Sequence, residues 1–379
     1  MSRRVLFYVQ HLLGVGHVRR AAALARAMTA EKLEVNVALG GFRVALADFG
    51  AAKLHQLAPV RTADMSFSAL LDENGTPVDP AWWQRRREAL LALYERLDPQ
   101  VILTEHFPFG RGAFKKELVP LLDAAKGRAR IACSVRDVLV GASEAKASKI
   151  TDLVERYFDH VLVHGVEKII PLDATFAPAR RFAEKISYTG YVAPPGLPCR
   201  EGENAGRGEI ILSIGGGAVG GDLLRAGLTV ASQERFRGYR WRFLAGSNLE
   251  SHVLRELEAR APAHVIIEPA RPDFPTLLAN CALSISQGGY NTVMDVITAR
   301  CPNLIVPFAT GSESEQNFRA RRFEALGLIN LLPPGRLNAQ ALGDAAAAAL
   351  TAGVPKTARP DMNGAVETAR LIRKMTGSE

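Results

Sequence analysis

The stretch Ser286–Asp295 reads Ser-Gln-Gly-Gly-Tyr-Asn-Thr-Val-Met-Asp. The short apolar run Leu283–Ser286 predicts a buried strand before it, and the spacing of Tyr290–Ala299 predicts a helix after the glycines. Gly288 and Gly289 allow the backbone to turn tightly and to approach a ligand closely. The first N–H groups of the helix then point at an anion. The stretch therefore predicts an anion-binding strand-to-helix turn of the kind found in α/β nucleotide-binding folds.

Two further turns of this kind open the two halves of the chain. The strand Val5–Gln10 leads into the first turn, and the strand Glu209–Ile214 leads into the second. The glycines of these turns are Gly14 and Gly16 in the first and Gly215, Gly216 and Gly217 in the second. Both turns suit phosphate binding at a helix N-terminus, and Arg19 and Arg20 after the first turn could also bind phosphate. A tight turn that touches no ligand is the alternative for each.

Short apolar runs alternate with amphipathic segments along the whole chain, which predicts parallel sheets with crossover helices. The remaining predicted strands are Val35–Leu39, Val101–Thr104, Ile131–Val135, Val161–Val163, Arg240–Leu244, Val265–Ile267 and Leu304–Val306. The remaining predicted helices are His17–Ala30, Trp82–Leu97, Leu223–Ser232, Ser251–Ala261, Glu315–Leu326 and Ala365–Met375. The predicted fold class is α/β, with two Rossmann-like, doubly wound domains that face a central cleft.

The domain boundaries follow from a proline-rich interruption of this pattern. Residues 193–198 read Ala-Pro-Pro-Gly-Leu-Pro, and three prolines in five residues fit neither a helix nor a sheet interior. We predict an N-terminal domain over residues 1–192, a linker over 193–208 and a C-terminal domain over 209–358. Residues 359–379 are expected to form a final helix that crosses back to the first domain.

Composition excludes several classes of protein. The 379 residues are 47% hydrophobic and 23% charged, as in a globular protein. Neither a signal peptide nor a membrane-spanning run is present in the sequence, so we expect a cytoplasmic location. The formal charge of +8 suits phosphorylated substrates, and no nucleic-acid-binding signature accompanies it. The four scattered cysteines signal no zinc site and no disulfide framework, and they are interpreted as buried free thiols.

Two common nucleotide folds are also excluded. Arg19 replaces the third glycine of a dinucleotide-binding G-x-G-x-x-G motif, and no acidic residue ends the strand Val35–Leu39. The G-K-[ST] sequence of a P-loop is missing as well. The chain is therefore expected to be neither a dinucleotide oxidoreductase nor a P-loop NTPase.

His17 and Glu105 are the candidate catalytic residues. His17 stands where the first glycine turn becomes a helix, and a histidine can accept a proton from a hydroxyl near neutral pH. Glu105 follows the strand Val101–Thr104, so it is expected at the same edge of the sheet. Two interpretations stay open for both residues: general base, with His17 preferred, or a residue that packs or caps at the end of its element.

The C-terminal half resembles the nucleotide-sugar site of GT-B glycosyltransferases, above all the MurG-like group of glycosyltransferase family 28. The resemblance covers about Ile210–Leu331, is weaker in the first glycine turn and implies the following donor-binding residues. It implies that the domain over 1–192 binds the acceptor and that the domain over 209–358 binds the nucleotide-sugar. It assigns Gly215, Gly216, Gly217, Gly288 and Gly289 to the donor diphosphate, Asp295 to the ribose, and Glu315 and Gln316 to the donor sugar. Asn291 and Thr292 are expected to bind the donor as well. In the first turn, Gly14, Gly16 and His17 match the family's Gly-Gly-His.

The sequence departs from the family at two of these positions. Asp295 is one methylene shorter than the family's Glu, and Glu315 stands where the family has Gln. A carboxylate can accept hydrogen bonds from two ribose hydroxyls, so the Asp295 assignment is chemically sound. A helix-dipole carboxylate is the alternative for Asp295, and a solvated helix start is the alternative for Gln316.

The resemblance implies a metal-independent, inverting transfer of a hexosyl or N-acetylhexosaminyl group from a nucleotide-sugar, with a UDP-sugar expected, to a hydroxyl. No metal or other cofactor is expected, since the nucleotide-sugar is a co-substrate. A lipid-linked acceptor and peripheral membrane binding are hypotheses from Trp82, Trp83 and the arginines Arg85–Arg87, which suit a membrane interface. Ordinary helix packing of the tryptophans is the alternative.

Three other functions stay open at this point. The first turn also resembles that of PseG-type nucleotide-sugar hydrolases, in which water takes the place of the acceptor. A nucleotide-sugar epimerase is possible on a similar architecture, because one fold hosts many chemistries. A nucleotide-sugar sensor or scaffold is the non-enzymatic alternative, and intact donor binding without turnover would favour it.

Overall fold

The chain forms two compact units. The computed structural model describes residues 3–12, 16–44, 47–62, 69–139, 141, 143–193, 202, 204–215, 220–246, 249–308 and 315–377. The first unit comprises Met1–Val192 together with Asp361–Glu379, and the second comprises Ala193–Pro360. Most of the predicted linker lies outside the described residues. Its described end, residues 204–208, is part of the second unit, within which the Asn280 side chain donates to the carbonyl of Ala205 at 3.0 Å.

The first unit contains a seven-stranded parallel sheet and a two-stranded hairpin. The strands are β1 (Arg4–Val9), β2 (Glu34–Leu39), β3 (Lys53–Gln56), β4 (Arg61–Thr62), β5 (Leu70–Leu71), β6 (Val101–Glu105), β7 (Arg130–Arg136), β8 (His160–His164) and β9 (Ile186–Tyr188). The sheet order is β3-β2-β1-β6-β7-β8-β9, and β4 pairs only with β5. Residues 5–9 of β1 are fully buried, because helices cover both faces of the sheet.

The helices of this unit that precede the domain boundary are α1 (Gly16–Ala30), α2 (Pro80–Leu97), α3 (Lys115–Ala125) and α4 (Glu144–Tyr157). Helix α2 begins as its sequence dictates: the Asp79 side chain accepts from the N–H of Trp82 at 2.6 Å, and Pro80 occupies the first turn. On one face of the sheet α2, α3 and α4 share a hydrophobic core, and on the other face α1 contributes its alanine-rich side.

The tryptophans of α2 belong to that core. Trp82 and Trp83 are 6% and 7% exposed, and the Trp83 ring packs edge-on against Phe114 with centroids 5.5 Å apart. Arg86 is buried with them, and its Nε donates to Glu117 at 2.7 Å. The membrane-interface interpretation of these three residues is therefore wrong, because their side chains are enclosed by the protein. Helix packing, the alternative interpretation, accounts for them.

The second unit is a five-stranded parallel sheet with helices between its strands. Its elements are β10 (Ile210–Ser213), α5 (Gly221–Ala231), β11 (Trp241–Ala245), α6 (Ser251–Arg260), β12 (Val265–Pro269), α7 (Phe274–Asn280), β13 (Leu283–Ser286), α8 (Tyr290–Ala299), β14 (Asn303–Ile305), α9 (Glu315–Ala325) and α10 (Ala339–Ala352). The sheet order is β12-β11-β10-β13-β14. The predicted bounds of β13 and α8 match the structure residue for residue.

The last helix, α11 (Gly364–Met375), belongs to the first unit. Ala369 and Ile372 are fully buried in the same core as α1, and Arg373 forms an ion pair with Glu31 at 2.9 Å. The N–H of Gly364 donates to the carbonyl of Tyr191 at 3.0 Å. The C-terminal segment therefore adds a helix to the unit in which the chain begins.

Three of the four cysteines lie in the described residues, and all three are free and buried: Cys133, Cys281 and Cys301. The fourth, Cys199, lies outside the described residues.

Candidate functional site

The candidate site of the first unit lies where the strand order of its sheet reverses. From β1 the chain proceeds outward to β2 and β3, and it then crosses to β6 on the other side of β1. Ligands of doubly wound folds bind at the carboxyl ends of the two strands that flank such a reversal. His17 follows β1, in the first turn of α1, and Glu105 is the last residue of β6. The topology thus brings together two residues that are far apart in the sequence.

His17 and Glu105 are directly hydrogen-bonded. The His17 Nδ1 lies 2.9 Å from the Glu105 Oε1, which also accepts from the guanidinium of Arg20. The second carboxylate oxygen, Oε2, accepts from the Ser134 hydroxyl at 2.7 Å. Glu105 is fully buried, whereas 14% of the His17 side chain is exposed. The carboxylate is therefore held from three sides, and the imidazole is the member of the pair that solvent reaches.

Two groups contact the His17 Nδ1, and they bear on the tautomer of the imidazole. The Glu105 Oε1 lies 2.9 Å from it and the Arg20 Nη2 lies 3.2 Å from it. A buried carboxylate paired with a guanidinium is ionised and only accepts hydrogen bonds. Because the carboxylate is the nearer partner, we assign the proton to the His17 Nδ1, and Nε2 then keeps its lone pair. Burial, followed by the positive charges of Arg111 and other arginines, holds the pKa of His17 well below its usual 6.5. The imidazole is therefore neutral at pH 7, with Nε2 able to accept a proton.

The surroundings of His17 carry more positive than negative charge. The His106 ring lies 4.9 Å from the His17 ring, and the Arg111 Nε donates to the carbonyl of Gln10 at 2.8 Å. Arg111 has no ion pair within 4 Å among the described residues, and its pKa is lowered to about 10 because burial outweighs the attraction of the Glu105 carboxylate. Burial also lowers the pKa of His11 to about 4, and that of His106 falls well below its usual value for the same reason. The histidines are therefore uncharged at pH 7, and the positive charge around His17, which favours a ligand with negative charge, comes from the arginines.

His106 reaches this position through an unusual backbone. Its φ is +68°, in the left-handed region that non-glycine residues seldom occupy. A Cβ on Gly110 would overlap the His106 ring, so only glycine fits at position 110. The loop after β6 therefore holds the His106 ring close to the His17 ring. The Nδ1 of His106 is buried without a hydrogen-bond partner among the described residues.

A separate candidate site of the second unit lies at the corresponding point of the second sheet. Its strand order reverses between β10 and β13. Gly215 follows β10 with φ +68°, and Gly288 and Gly289 follow β13. Gly289 is the N-cap of α8 and has no side chain with which to cap the helix. Glycine turns and a helix N-terminus thus lie at the reversal point, which is a suitable place for a phosphate.

Packing is tight at one of these glycines, Gly288. A Cβ on Gly215 would lie 3.7 Å from the Thr292 hydroxyl, and a Cβ on Gly288 would lie 3.3 Å from the Cβ of Gln316. A Cβ on Gly289 would meet no atom of the described residues within 4 Å. The structure therefore brings Gly215 close to Thr292 and Gly288 close to Gln316, whereas Gly289 has no described residue at its Cβ position.

The polar residues predicted for the donor lie around these glycines in different environments. Asn291 and Thr292 are half-buried in the first turn of α8, whereas Asp295, one turn further, is 2% exposed. The Gln316 Oε1 accepts from the N–H of Phe308 at 3.0 Å, and Glu315 forms an ion pair with Arg319 at 3.3 Å. Their assignments to the ribose and the donor sugar stay predictions, and the burial of Asp295 restricts its access to a ligand.

Part of the predicted site lies outside the described residues, namely Gly14, Gly216 and Gly217. Gly16 is described as the first residue of α1. No group of three His, Cys, Asp or Glu residues in the described part of the chain is suited to a metal ion. Among the described helices, none is both long and apolar enough to span a membrane.

The sequence pattern does not predict the roles of Arg20, Ser134 and Arg111. Arg20 is not placed to bind phosphate, because it is 2% exposed and is paired with Glu105. Ser134 lies inside a predicted strand, where a polar residue among apolar ones signals a buried partner. That signal is available in the sequence, although it does not name the partner.

Several known proteins are similar to this chain in sequence. The UDP-N-acetylglucosamine–N-acetylmuramyl-(pentapeptide) pyrophosphoryl-undecaprenol N-acetylglucosamine transferase of Clostridium novyi is 25% identical over 133 residues, 35% of this chain and 36% of that enzyme. The enzyme of the same name from Prochlorococcus marinus is 25% identical over 205 residues, 52% of this chain and 55% of that enzyme. The chain thus spans about a third to a half of the length of these relatives. No family model matches the chain.

Solved structures are similar over nearly the full length. The calicheamicin glycosyltransferase CalG4 has a TM-score of 0.59 at 18% identity and covers 99% of this chain and 94% of its own. The spinosyn forosaminyltransferase SpnP has a TM-score of 0.62 at 16% identity, with coverages of 99% and 95%. MurG of Acinetobacter baumannii has a TM-score of 0.55 at 16% identity, with coverages of 98% and 99%.

The similar structures define the fold, and the similar sequences indicate the group of proteins within that fold. The chain has the GT-B fold, with two Rossmann-like α/β units, as predicted from the sequence. Within that fold, its sequence similarity is to the MurG-like N-acetylglucosamine transferases, which confirms the resemblance seen in the glycine turns.

Proposed function

We propose that the chain is an inverting glycosyltransferase that moves a sugar from a nucleoside diphosphate sugar to a hydroxyl acceptor. The observation that carries the proposal is the reversal point between β10 and β13. There, Gly215 turns the backbone with φ +68°, and Gly289 precedes α8 with a Cβ position that meets no atom of the described residues. Backbone N–H groups at such a point stabilise a diphosphate, both in the bound donor and as it leaves.

His17 is the proposed base. Its Nε2 accepts the proton of the acceptor hydroxyl while the acceptor oxygen attacks the anomeric carbon of the donor sugar. The bond between that carbon and the diphosphate oxygen breaks, and the nucleoside diphosphate leaves with the electron pair. Glu105 stabilises the imidazolium that forms, because its carboxylate already holds Nδ1 at 2.9 Å. Glu105 is therefore proposed as the partner of the base and not as the base itself.

UDP-N-acetylglucosamine is the first donor to test, since it is named for the relatives in sequence. No metal ion or other cofactor is included in the proposed reaction. A lipid-linked hydroxyl is the candidate acceptor on the same grounds, although Trp82, Trp83 and Arg86 no longer support it. Arg111, beside His17 and without an ion pair within 4 Å among the described residues, suits an acceptor that carries an anionic group near the reacting hydroxyl.

Gly289 offers a sharp test of the donor site. A Cβ at this position meets no atom of the described residues, so Gly289→Val should fold, while its side chain fills the space assigned to the diphosphate. A Cβ on Gly238, in the same unit, would also meet no atom of the described residues within 4 Å, so Gly238→Val is the matched control. We expect UDP-N-acetylglucosamine binding in titration calorimetry to weaken at least ~10-fold in Gly289→Val and to be unchanged in Gly238→Val.

Turnover separates the proposed transfer from its alternatives. UDP release that requires an added hydroxyl acceptor and disappears in His17→Ala supports the transferase. UDP release without any acceptor indicates a nucleotide-sugar hydrolase. Binding of the donor without UDP release under any condition indicates a sensor, and the proposal is then wrong.

A further inference from the structure

A chain of buried polar groups continues inward from the His17–Glu105 pair. The Ser134 hydroxyl, which contacts Glu105, lies 2.8 Å from the Nε2 of His164. The Nδ1 of His164 lies 2.9 Å from the Thr189 hydroxyl. All three of these inner residues are at most 1% exposed. The general-base chemistry proposed for His17 does not explain why three buried polar residues are hydrogen-bonded in series to Glu105.

The number of available protons determines which atom donates and which accepts in each of these hydrogen bonds. Glu105 is ionised and accepts, so the one hydroxyl proton of Ser134 points to the carboxylate. The Ser134 oxygen then accepts from the Nε2–H of His164. If Ser134 instead donated to His164, its oxygen would face the Glu105 carboxylate at 2.7 Å with no proton between them.

The same count determines the state of His164. Burial lowers the pKa of His164 from 6.5 to about 3, so the ring is neutral at pH 7 and holds one proton. Because that proton is on Nε2, Nδ1 accepts from the Thr189 hydroxyl. The carbonyls of Gly190 and Val163 lie 3.1 and 3.3 Å from this hydroxyl, but it has only one proton to donate.

Neighbouring backbone fixes the far end of the chain. The N–H of Thr189 donates to the carbonyl of Val163 at 3.0 Å, and the N–H of Tyr191 donates to the carbonyl of Asp361 at 2.8 Å. Thr189 therefore cannot move away from His164 without breaking the backbone contacts around it. The hydrogen bonds run from this fixed point, through His164 and Ser134, to the Oε2 of Glu105.

We propose that Thr189, His164 and Ser134 are positioning residues that hold His17 in its Nδ1–H tautomer. Ser134 keeps the Oε2 of Glu105 in place, so that Oε1 faces His17. Without this hydrogen bond the carboxylate is free to turn both oxygens towards Arg20 and to release Nδ1. The imidazole then relaxes towards the Nε2–H tautomer that it favours in water, in which the nitrogen meant to accept a proton already carries one.

The inference rests on the proposed function only for its consequence in catalysis, and its structural part is tested without substrate. In protein labelled with ¹⁵N-histidine, long-range ¹H–¹⁵N correlation spectra distinguish the two neutral tautomers of each ring. The signals of His17 and His164 are assigned by their loss in His17→Asn and His164→Gln. At pH 7.5 we expect Nδ1–H for His17 and Nε2–H for His164.

Variants along the chain provide the perturbation. Ser134→Ala and Thr189→Val remove one hydroxyl each, and Ser134→Thr and Thr189→Ser restore it. Ser284→Ala is the matched control, because Ser284 is also a buried strand serine and its hydroxyl has no partner among the described residues. We expect the His17 spectrum to change to a tautomer mixture in Ser134→Ala and Thr189→Val, and to stay as in the wild type in Ser284→Ala.

The kinetic consequence is a loss in kcat without a loss in donor binding. We expect kcat to fall about 10-fold in Ser134→Ala, because part of the general-base contribution is lost, with recovery in Ser134→Thr and an unchanged donor KM. An unchanged Nδ1–H signal of His17 in both Ser134→Ala and Thr189→Val would overturn the inference, whatever the activity. If the tautomer changes as expected but the wild type turns over no nucleotide-sugar, the positioning chain holds and the proposed function fails. If Ser134→Ala does not fold, the inference is tested by Thr189→Val alone, at the other end of the hydrogen-bonded series.

Discussion

Replacing Glu105 by Gln removes the charge from the centre of the first unit while keeping the shape of the side chain. The neutral amide leaves Arg20, which is 2% exposed, without its anion. Breaking a buried pair by neutralising one partner costs about 3–5 kcal/mol of unfolding free energy. For a unit of this size each kcal/mol lowers the Tm by roughly 2–4 °C, so the expected fall is on the order of 6–20 °C.

The same replacement should affect catalysis separately from stability. A neutral partner does not stabilise the imidazolium that forms on His17, so we expect kcat for UDP release to fall about 10²–10⁴-fold, the range that general-base catalysis contributes. The donor KM should change by no more than about 2-fold, because Glu105 lies in the first unit and the proposed donor-binding glycines lie in the second.

Glu117→Gln is the matched control. Glu117 is also fully buried in the first unit and pairs with Arg86 at 2.7 Å, so its neutralisation should cost similar stability. Glu117 lies in α3 and has no contact with His17 among the described residues, so kcat at a temperature well below the Tm should stay within about 3-fold of the wild type. The reasoning is refuted if Glu105→Gln retains kcat, or if Glu117→Gln loses as much of it.

Three further predictions concern stability and surface chemistry. The pKa of His164 is about 3 when folded and about 6.5 when unfolded, so the stability it contributes is present above pH 6.5 and is lost as the pH falls. Urea unfolding at pH 7 and pH 5 should show a loss of about 2 kcal/mol from this group, absent in His164→Gln, and an equal loss in both proteins would contradict the assignment. A Cβ at Gly364 would lie 2.8 Å from the carbonyl of Tyr191, so Gly364→Ala should cost about 1–3 kcal/mol in urea unfolding, whereas Gly238→Ala should cost less than about 1 kcal/mol. The exposed Arg85 contributes no core contact, so Arg85→Glu should leave thermal stability unchanged, and any loss of vesicle flotation in this variant would revive a membrane role for α2.

Much of the fold can be predicted because the deciding signals are local. The strand Leu283–Ser286 and the helix Tyr290–Ala299 follow from an apolar run, two glycines and a helical period within one short stretch of consecutive residues. The sequence pattern does not predict β3 and β9, because they lie at the edges of the first sheet and carry no apolar run. In β3 three of the four residues are exposed. Only pairing with β2 makes it a strand.

The candidate site is predictable in its positions and not in its contacts. The ends of predicted strands correctly locate His17 and Glu105, because parallel strands end at a common edge. That Glu105 pairs with Arg20 and Ser134 depends on the register of β6 and β7, which places Glu105 opposite Ser134. No local pattern in the sequence specifies that register.

Asp295 shows the same limit within one helix. The helical period places it one turn after the glycines, which predicts a side chain on the face towards a ligand. The structure buries it to 2% exposure, because the packing of α8 in the second unit decides which face is covered. Period alone gives the relative positions of side chains on a helix, but tertiary contacts set the rotation of the helix about its axis.

Binding of a nucleoside diphosphate sugar to the second unit is the most direct test of the proposed function. A ligand that binds only the native state at 100 times its Kd adds about 2.7 kcal/mol, which is roughly 5–10 °C in the Tm of a unit of this size. In a thermal-shift panel of nucleotides and nucleotide-sugars, we predict such a shift with UDP and UDP-N-acetylglucosamine for the wild type and for Gly238→Val, and a much smaller one for Gly289→Val. No shift with any nucleotide or nucleotide-sugar, or an equal shift in Gly289→Val, would contradict a donor site at the reversal point of the second sheet.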